Sequence, residues 1–310
     1  MKQLKKIILT FAIVMTCLLT CIKGVNAKTI NVHNLLKKGD YNNEVKILQT
    51  ELNKVMNCNL TVDGDFGTKT KTCVQNFQKK YDLDADGIVG ASTSGKLNTL
   101  YLANNNYVVI NVDSNVNGGK LNVRTDASTS AEKIGTTKYG TIFRVHGSKK
   151  DSAGYTWYKI YFNNKYAYIR SDYTTKDAIV VDISSQTLKL YKNGKLTMDT
   201  IVITGTKGKY DTRTGKFTLN TTKKRLAKML RDTTFVDYWM PFDKGNGFHD
   251  ANYHYSNKKK ETVGWRSEAQ FYEADRYTWD GSHGCVNMLF EDAKTLYEIT
   301  TKNILVFVRT

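Results

Sequence analysis

Ser282-His283-Gly284-Cys285-Val286-Asn287-Met288 is the stretch on which the reading of this chain turns. It sets a histidine two residues before a cysteine, with a glycine between them. Alternate residues of an extended segment share a face, so His283 and Cys285 are expected to point into one site. Gly284 has no Cβ and lets the backbone approach a ligand closely or take φ > 0. Ser282 and Asn287 flank the pair with short hydrogen-bonding side chains. A thiol ionises at neutral pH only beside a base or a positive charge, and an imidazole is such a base. By itself the motif also fits a small buried cysteine in a core.

The rest of the chain bears on that choice. At 310 residues it is long enough for two or three domains. A hydrophobic share of 40% with 11% aromatics supports folded cores and argues against disorder. The single proline, Pro241, excludes a proline-rich stalk. Lys2, Lys5 and Lys6 precede the mostly apolar run Ile7 to Leu19, and Val25-Asn26-Ala27 offers a small-residue cleavage site. Residues 1–27 therefore read as a secretory signal peptide. The run is short for a membrane span, so no stable membrane insertion is expected after cleavage. The mature protein is expected in the cell wall or outside the cell.

Outside the leader stand Cys58, Cys73 and Cys285, and an odd number in an exported chain implies a free thiol. Pairing of Cys58 with Cys73 would leave Cys285 free, but spacing alone does not decide it. The formal charge is +17, and about +13 once the leader lysines are gone. In an exported chain that suits anionic polymers of the wall or cell surface, and nucleic acid is not expected. Lysines spread for solubility are the plainer reading.

Taken in order, the chain first shows an internal repeat. Asp63-Gly64, Gly67 and Thr70 return as Asp86-Gly87, Gly90 and Thr93. Asp-Gly marks a tight turn, and each Thr lies near a helix start. Val45, Leu48 and Leu52, then Cys73, Val74 and Phe77, then Leu97 and Leu100 have helical spacing. With Leu48-Gln49 and Phe77-Gln78, residues 33–100 resemble the small three-helix peptidoglycan-binding domain of bacterial wall proteins. A helical spacer without a ligand is the alternative. Residues 101–106 read as a polar, Asn-rich linker. Short strand-like runs fill 107–175, with turns at Asn117-Gly118-Gly119 and Asn163-Asn164. Leu121-Asn122-Val123-Arg124, Trp157-Tyr158-Lys159-Ile160 and Tyr166-Ala167-Tyr168-Ile169 are similar to the bacterial SH3-like repeat. Its tyrosines suit stacking on a ligand and packing in a small barrel equally.

From Ala178 the pattern is again β, with an Asn193-Gly194 hairpin turn. Lys223 to Arg231 reads as a basic, helix-capable insertion, and Glu291 to Ile299 as a helix with acids in its first turn. Residues 178–310 resemble the L,D-transpeptidase family of peptidoglycan cross-linking enzymes. The resemblance rests on the opening strand pair, Val202-Ile203-Thr204-Gly205, Thr214-Gly215-Lys216-Phe217, Gly247-Phe248-His249-Asp250 and the cysteine motif.

It implies a multidomain, mainly β protein: a small three-helix domain, an SH3-like β-barrel, and a β-rich catalytic domain with few helices. It implies Cys285 as nucleophile, His249 as general base, and the Asp250 carbonyl as the group orienting that imidazole. His283, Ser282 and Gly284 would shape the pocket, with an oxyanion hole from backbone N–H groups near Gly284 and Cys285. Asn287 would fix the loop or contact substrate. No cofactor and no metal are implied, and the partners are peptidoglycan stem peptides as acyl donor and acceptor. The implied reaction releases D-Ala from a tetrapeptide stem and forms a 3→3 cross-link. Two departures stand out: Arg213 where the family often has proline, and a long stretch from His249 to Ser282 carrying Lys258, Trp265, Tyr272 and Trp279. An L,D-carboxypeptidase or cysteine endopeptidase on wall peptides is the nearest alternative, and a non-catalytic wall-binding protein the alternative of another class. A zinc hydrolase using His249, His254, His283 and Cys285 lacks an accompanying HExxH-type motif. Read as separate modules, the chain should lose wall attachment more than turnover when residues 28–106 are deleted.

Overall fold

The structure is a computed structural model and describes residues 29–310, except 116, 221, 230–234, 252–253, 257–258 and 262–265. The expected leader, 1–27, lies outside the described residues, as do Lys258 and Trp265. Among the described residues no helix is long and apolar enough to cross a membrane. The protein is multidomain and mainly β, with an N-terminal helical region, as the sequence implied.

The helical module comprises Asn43–Met56, Thr68–Lys80 and Ala91–Tyr101. The first helix begins where Asn42 Oδ1 accepts the Val45 N–H at 3.0 Å, a side-chain cap on an otherwise unpaired donor. The repeat has a physical reason. Gln49 Nε2 donates to Asp63 Oδ1 (2.8 Å) and the Asp65 carbonyl (3.0 Å), while its Oε1 accepts the Gly64 N–H (3.0 Å). Gln78 makes the same three contacts with Asp86 Oδ1 (2.9 Å), the Ile88 carbonyl (2.8 Å) and the Gly87 N–H (2.9 Å). Each buried glutamine thus closes an Asp-Gly turn whose glycine takes positive φ, +88° at Gly64 and +77° at Gly87. Val45, Leu48, Leu52, Phe66, Val74 and Phe77 form the core beneath. Cys58 and Cys73 are disulfide-bonded across it, with Cα atoms 6.2 Å apart.

The SH3-like region pairs Lys133–Lys138, Lys120–Arg124, Lys165–Arg170, Thr156–Phe162 and Gly147–Lys150, in that order, in one sheet. Tyr107–Ile110 lies between Ile142–Arg144 and Thr174–Thr175 in a second. Val108, Ile110, Val123, Ile160 and Ile169 fill the interior. Among its tyrosines, Tyr155 and Tyr166 stay exposed and Tyr158 packs against the core. The expected 101–106 linker is not loose. Leu102 is buried with Val109, Val180 and Phe307, and the Tyr107 N–H donates to the Gly194 carbonyl at 2.7 Å. Its polar composition hid an apolar anchor.

In the C-terminal domain the strands run Gly215–Thr218, Leu305–Arg309, Ala178–Asp182, Thr187–Lys192, Lys195–Ile203, Val286–Met288, Asn246–Asp250 and Phe235–Asp243 across one sheet. His254–Ser256 and Lys259–Glu261 continue it. Helix Phe290–Ile299 buries Ala293 and Leu296 in a core with Val202, Met240, Phe248 and Met288. The basic segment expected to favour helix is instead a strand, Lys224–Lys228, antiparallel to Phe235–Asp243. The free edge of a neighbouring strand supplies hydrogen-bond partners, and that tertiary pairing overrides a weak helix propensity.

Candidate active site

Two short strands bring the motifs together. Asn246–Asp250 pairs in parallel with Val286–Met288, with Phe248 opposite Val286, His249 opposite Asn287 and Asp250 opposite Met288. Side chains alternate across a sheet, so His249 and Asn287 lie on one face, and Cys285 precedes the second strand by one residue. His249 is 1% exposed and Cys285 6%, so both are withdrawn from bulk water.

The imidazole is fixed by its neighbour. His249 Nδ1 lies 2.6 Å from the Asp250 carbonyl oxygen. A carbonyl only accepts, so Nδ1 carries the proton and Nε2 keeps a lone pair. Burial pushes this imidazole down to about 4; the Asp250 carbonyl pulls it back up and the charge of Arg266 pushes it further down. A neutral ring with a basic Nε2 is the state that can take a thiol proton. The Asp250 carboxylate is itself buried, its Oδ1 accepting the Asp237 N–H at 2.6 Å, and Asp237 pairs with Arg225.

The cysteine loop is held from both sides. Ser282 Oγ donates to the Cys285 carbonyl at 2.5 Å and accepts the Gly284 N–H at 3.1 Å. Thr212 Oγ1 donates to the Gly284 carbonyl (3.0 Å) and accepts the Gly205 N–H (2.8 Å). Gly284 sits at φ +110°, and a Cβ there would lie 2.9 Å from Asn246 Oδ1. Only glycine fits both demands.

Alternation needs an extended backbone, and Gly284 leaves it. His283 is exposed, its ring edge-on to Tyr210 with centroids 4.3 Å apart, while Cys285 is buried. The Gly284 N–H, one of the groups expected near the oxyanion hole, donates to Ser282 Oγ at 3.1 Å. Arg213, a departure noted above, pairs with Asp243 and lies 5.3 Å over the Phe217 ring.

Sequence reasoning missed Thr212, Arg266 and Gln186. Gln186 Nε2 donates to Thr204 Oγ1 at 2.8 Å and its Oε1 accepts the Thr204 N–H at 2.8 Å. None of the three stands in a motif; tertiary contact alone gives each its place. A cleft of about 670 Å³ opens between the helical module and the C-terminal domain, lined by Gln78, Tyr81 and Gly90 on one side and Met198, Glu268 and Tyr272 on the other. Neither Cys285 nor His249 lines it.

Comparison with known proteins adds the following. Residues 176–308 match the family model of the L,D-transpeptidase catalytic domain, residues 119–175 that of the bacterial SH3 domain, and residues 41–97 that of a peptidoglycan binding domain. The chain is 40% identical over 72 residues to the zinc D-Ala-D-Ala carboxypeptidase of Streptomyces albus G, a match covering 21% of this chain. It is 45% identical over 64 residues to an uncharacterised protein of Kitasatospora aureofaciens, covering 20% of this chain. It spans only 28% and 54% of the length of these two relatives. Among solved structures, an L,D-transpeptidase from Stackebrandtia nassauensis is 20% identical with a TM-score of 0.43, over 88% of this chain and 94% of that one. The catalytic domain of the E. faecium L,D-transpeptidase is 31% identical with a TM-score of 0.30, over 43% of this chain and 95% of that one.

Proposed function

The C-terminal domain, residues 176–308, belongs to the L,D-transpeptidase catalytic-domain family, and from that premise we propose that this protein is an exported enzyme forming 3→3 cross-links in peptidoglycan through a cysteine acyl-enzyme. The observation that carries the proposal is the fixed tautomer of His249, its Nδ1 tied to the Asp250 carbonyl at 2.6 Å on the strand paired with the one that follows Cys285.

His249 Nε2 takes the thiol proton of Cys285. The thiolate attacks the carbonyl of the third residue of a tetrapeptide stem and a tetrahedral oxyanion forms. Collapse breaks the bond to D-Ala, whose amine leaves with the proton from His249, and a thioester remains. The side-chain amine of a second stem's third residue then attacks the thioester. Cys285 leaves as thiolate, and the proton released by the amine returns the site to its resting state through His249. No nucleotide is consumed, which suits a compartment outside the cytoplasm. Ser282, through its bonds to the Cys285 carbonyl and Gly284 N–H, sets the pitch of the loop. The helical and SH3-like modules support attachment to the wall, and the basic surface supports contact with anionic wall polymers.

Incubation of the leader-free protein with a purified disaccharide tetrapeptide tests this. A 3→3-linked dimer with release of D-Ala is expected. A tripeptide product without dimer would make the protein an L,D-carboxypeptidase, and an unchanged substrate would make it a binder.

A further inference from the structure

The helical module is not tethered beside the C-terminal domain; it shares a core with it. Val32 and Ala91 of the module are buried in one cluster with Ile201, Ala251, Phe271 and Leu289. Ala251 lies two residues beyond His249, and Leu289 lies four beyond Cys285. The module therefore packs on the continuations of both strands that carry the site.

Two polar contacts tighten this junction. At the start of helix Ala91–Tyr101 the Ala91 N–H donates to the Tyr272 hydroxyl at 3.0 Å. Tyr272 belongs to the segment between His249 and Ser282. Further along, that segment passes the Tyr277 carbonyl, which accepts the Lys207 N–H at 2.8 Å, and reaches Ser282, whose carbonyl accepts the Thr206 N–H at 2.9 Å. Near the N-terminus of the described chain, His33 Nε2 lies 2.8 Å from the Ser185 carbonyl and 3.2 Å from that of Gln186. A ring nitrogen facing two carbonyls must donate, so Nε2 carries the proton. Gln186 grips Thr204 through both its amide atoms, and the Thr204 carbonyl accepts the Ser282 N–H at 2.9 Å. The first path runs along the chain from Tyr272 to Ser282, and the second runs by hydrogen bonds from His33 through Gln186 and Thr204 to Ser282, the first residue of the cysteine motif.

We infer that Tyr272 and His33 are positioning residues through which the helical module holds the cysteine loop and the histidine strand in working geometry. The inference rests on the reading that Cys285 and His249 perform the chemistry. It replaces the picture of separable modules, in which the helical one would serve attachment and leave turnover alone. Packed interfaces do not deform smoothly, and a misplacement of about 1 Å at a reacting pair costs on the order of 10²-fold in rate.

Gly90 provides the test, because it belongs to the module and its φ of −96° suits any residue. A Cβ there would lie 2.5 Å from the Tyr272 hydroxyl, so Gly90→Ala must push Tyr272 away. In the leader-free full chain, Gly90→Ala is expected to lower kcat on a soluble tetrapeptide muropeptide about tenfold. KM and sedimentation with purified sacculi should be unchanged. Tyr272→Phe, which removes only the hydroxyl, should lose kcat several-fold, and the double variant should be no worse than Tyr272→Phe alone, because the atom that clashes is gone. Wild-type kcat in Gly90→Ala, or additive losses in the double variant, would overturn the inference. If Gly90→Ala does not fold, Tyr272→Phe decides, with wild-type kcat counting against it. Cys285→Ala is run alongside. Its retained turnover would remove the underlying reading, whereas its inactivity with wild-type Gly90→Ala would remove this inference only.

Discussion

His249 donates its Nδ1 proton to the carbonyl oxygen of the next residue, Asp250, at 2.6 Å. The strand that carries His249 thus also aims its imidazole, and the Trp239 ring lies 5.8 Å from it, centroid to centroid. The backbone anchor survives substitution of Asp250, whereas a carboxylate anchor would not. His249→Ala should therefore cost about 10² to 10⁴-fold in turnover, and it should slow alkylation of Cys285 by iodoacetamide at pH 7. Turnover near wild type would count against the base assignment.

As the proposed base, His249 should set the acid side of the pH profile. Burial holds its imidazole at about 4, well below the free value of 6.5, so the ring stays neutral as pH falls through 6 and 5. The acid limb of kcat/KM for the free enzyme should lie nearer 4 than 6.5. A limb centred near 6.5 would mean that the ring is solvated when substrate binds. Stability follows the same sign. The unfolded chain takes up this proton below about 6.5 and the native one does not, so native stability is lost as pH falls from about 6.5 towards 4.

Ser282 serves two backbone groups of the cysteine loop with one hydroxyl. Ser282→Ala leaves the Gly284 N–H and the Cys285 carbonyl without that partner in a buried site, at about 1–3 kcal/mol per unsatisfied group. Turnover should fall with a modest loss of melting temperature, and Ser282→Thr, which keeps the hydroxyl, should recover most of both. Equal losses in the alanine and threonine variants would show that bulk at this position matters more than the hydroxyl.

Glu51 is fully buried in the helical module, and burial pushes its carboxyl up to about 8. For an acid raised on folding, the native state holds a proton that the unfolded state has released. Stability is fully present below about 4.5 and is lost as pH rises through about 8. Glu51→Gln removes that dependence. It should be more stable than wild type at pH 8.5, by an amount on the order of 5 kcal/mol at most, and the gain should shrink towards pH 5. Urea unfolding at both pH values checks this, and no gain at pH 8.5 would refute it.

Cys58 and Cys73 form a disulfide, and Cys285 lies outside it. A thiol titration of the leader-free denatured protein should find one reactive group, absent in Cys285→Ala. The bond closes a 15-residue separation, and its removal in a Cys58→Ser, Cys73→Ser double variant should cost the helical module about 3 kcal/mol. A carbapenem should form a lasting adduct that maps to Cys285 and not to the paired cysteines. Labelling at Cys58 or Cys73 would contradict the pairing.

The sequence alone determined the modules and the reactive residue types, because these depend on local chemistry. The Asp-Gly repeat specifies turns that only glycine closes, and the glutamines of Leu48-Gln49 and Phe77-Gln78 satisfy the backbone groups those turns expose. The spacing of Val45, Leu48 and Leu52 specifies a buried helix face. Where local pattern competed with a neighbouring strand, as at Lys224–Lys228, pairing across the sheet prevailed. Alternation predicts a shared face for His283 and Cys285, but Gly284 between them takes φ +110°, and the folded chain leaves His283 exposed and Cys285 buried. The neutral state of His249 arises from burial and from Arg266, a residue outside every motif. The seam between helical module and catalytic strands joins Val32 and Ala91 to Ala251 and Leu289. Apolar residues carry no address, so which surfaces they bury against was decided only when the chain folded.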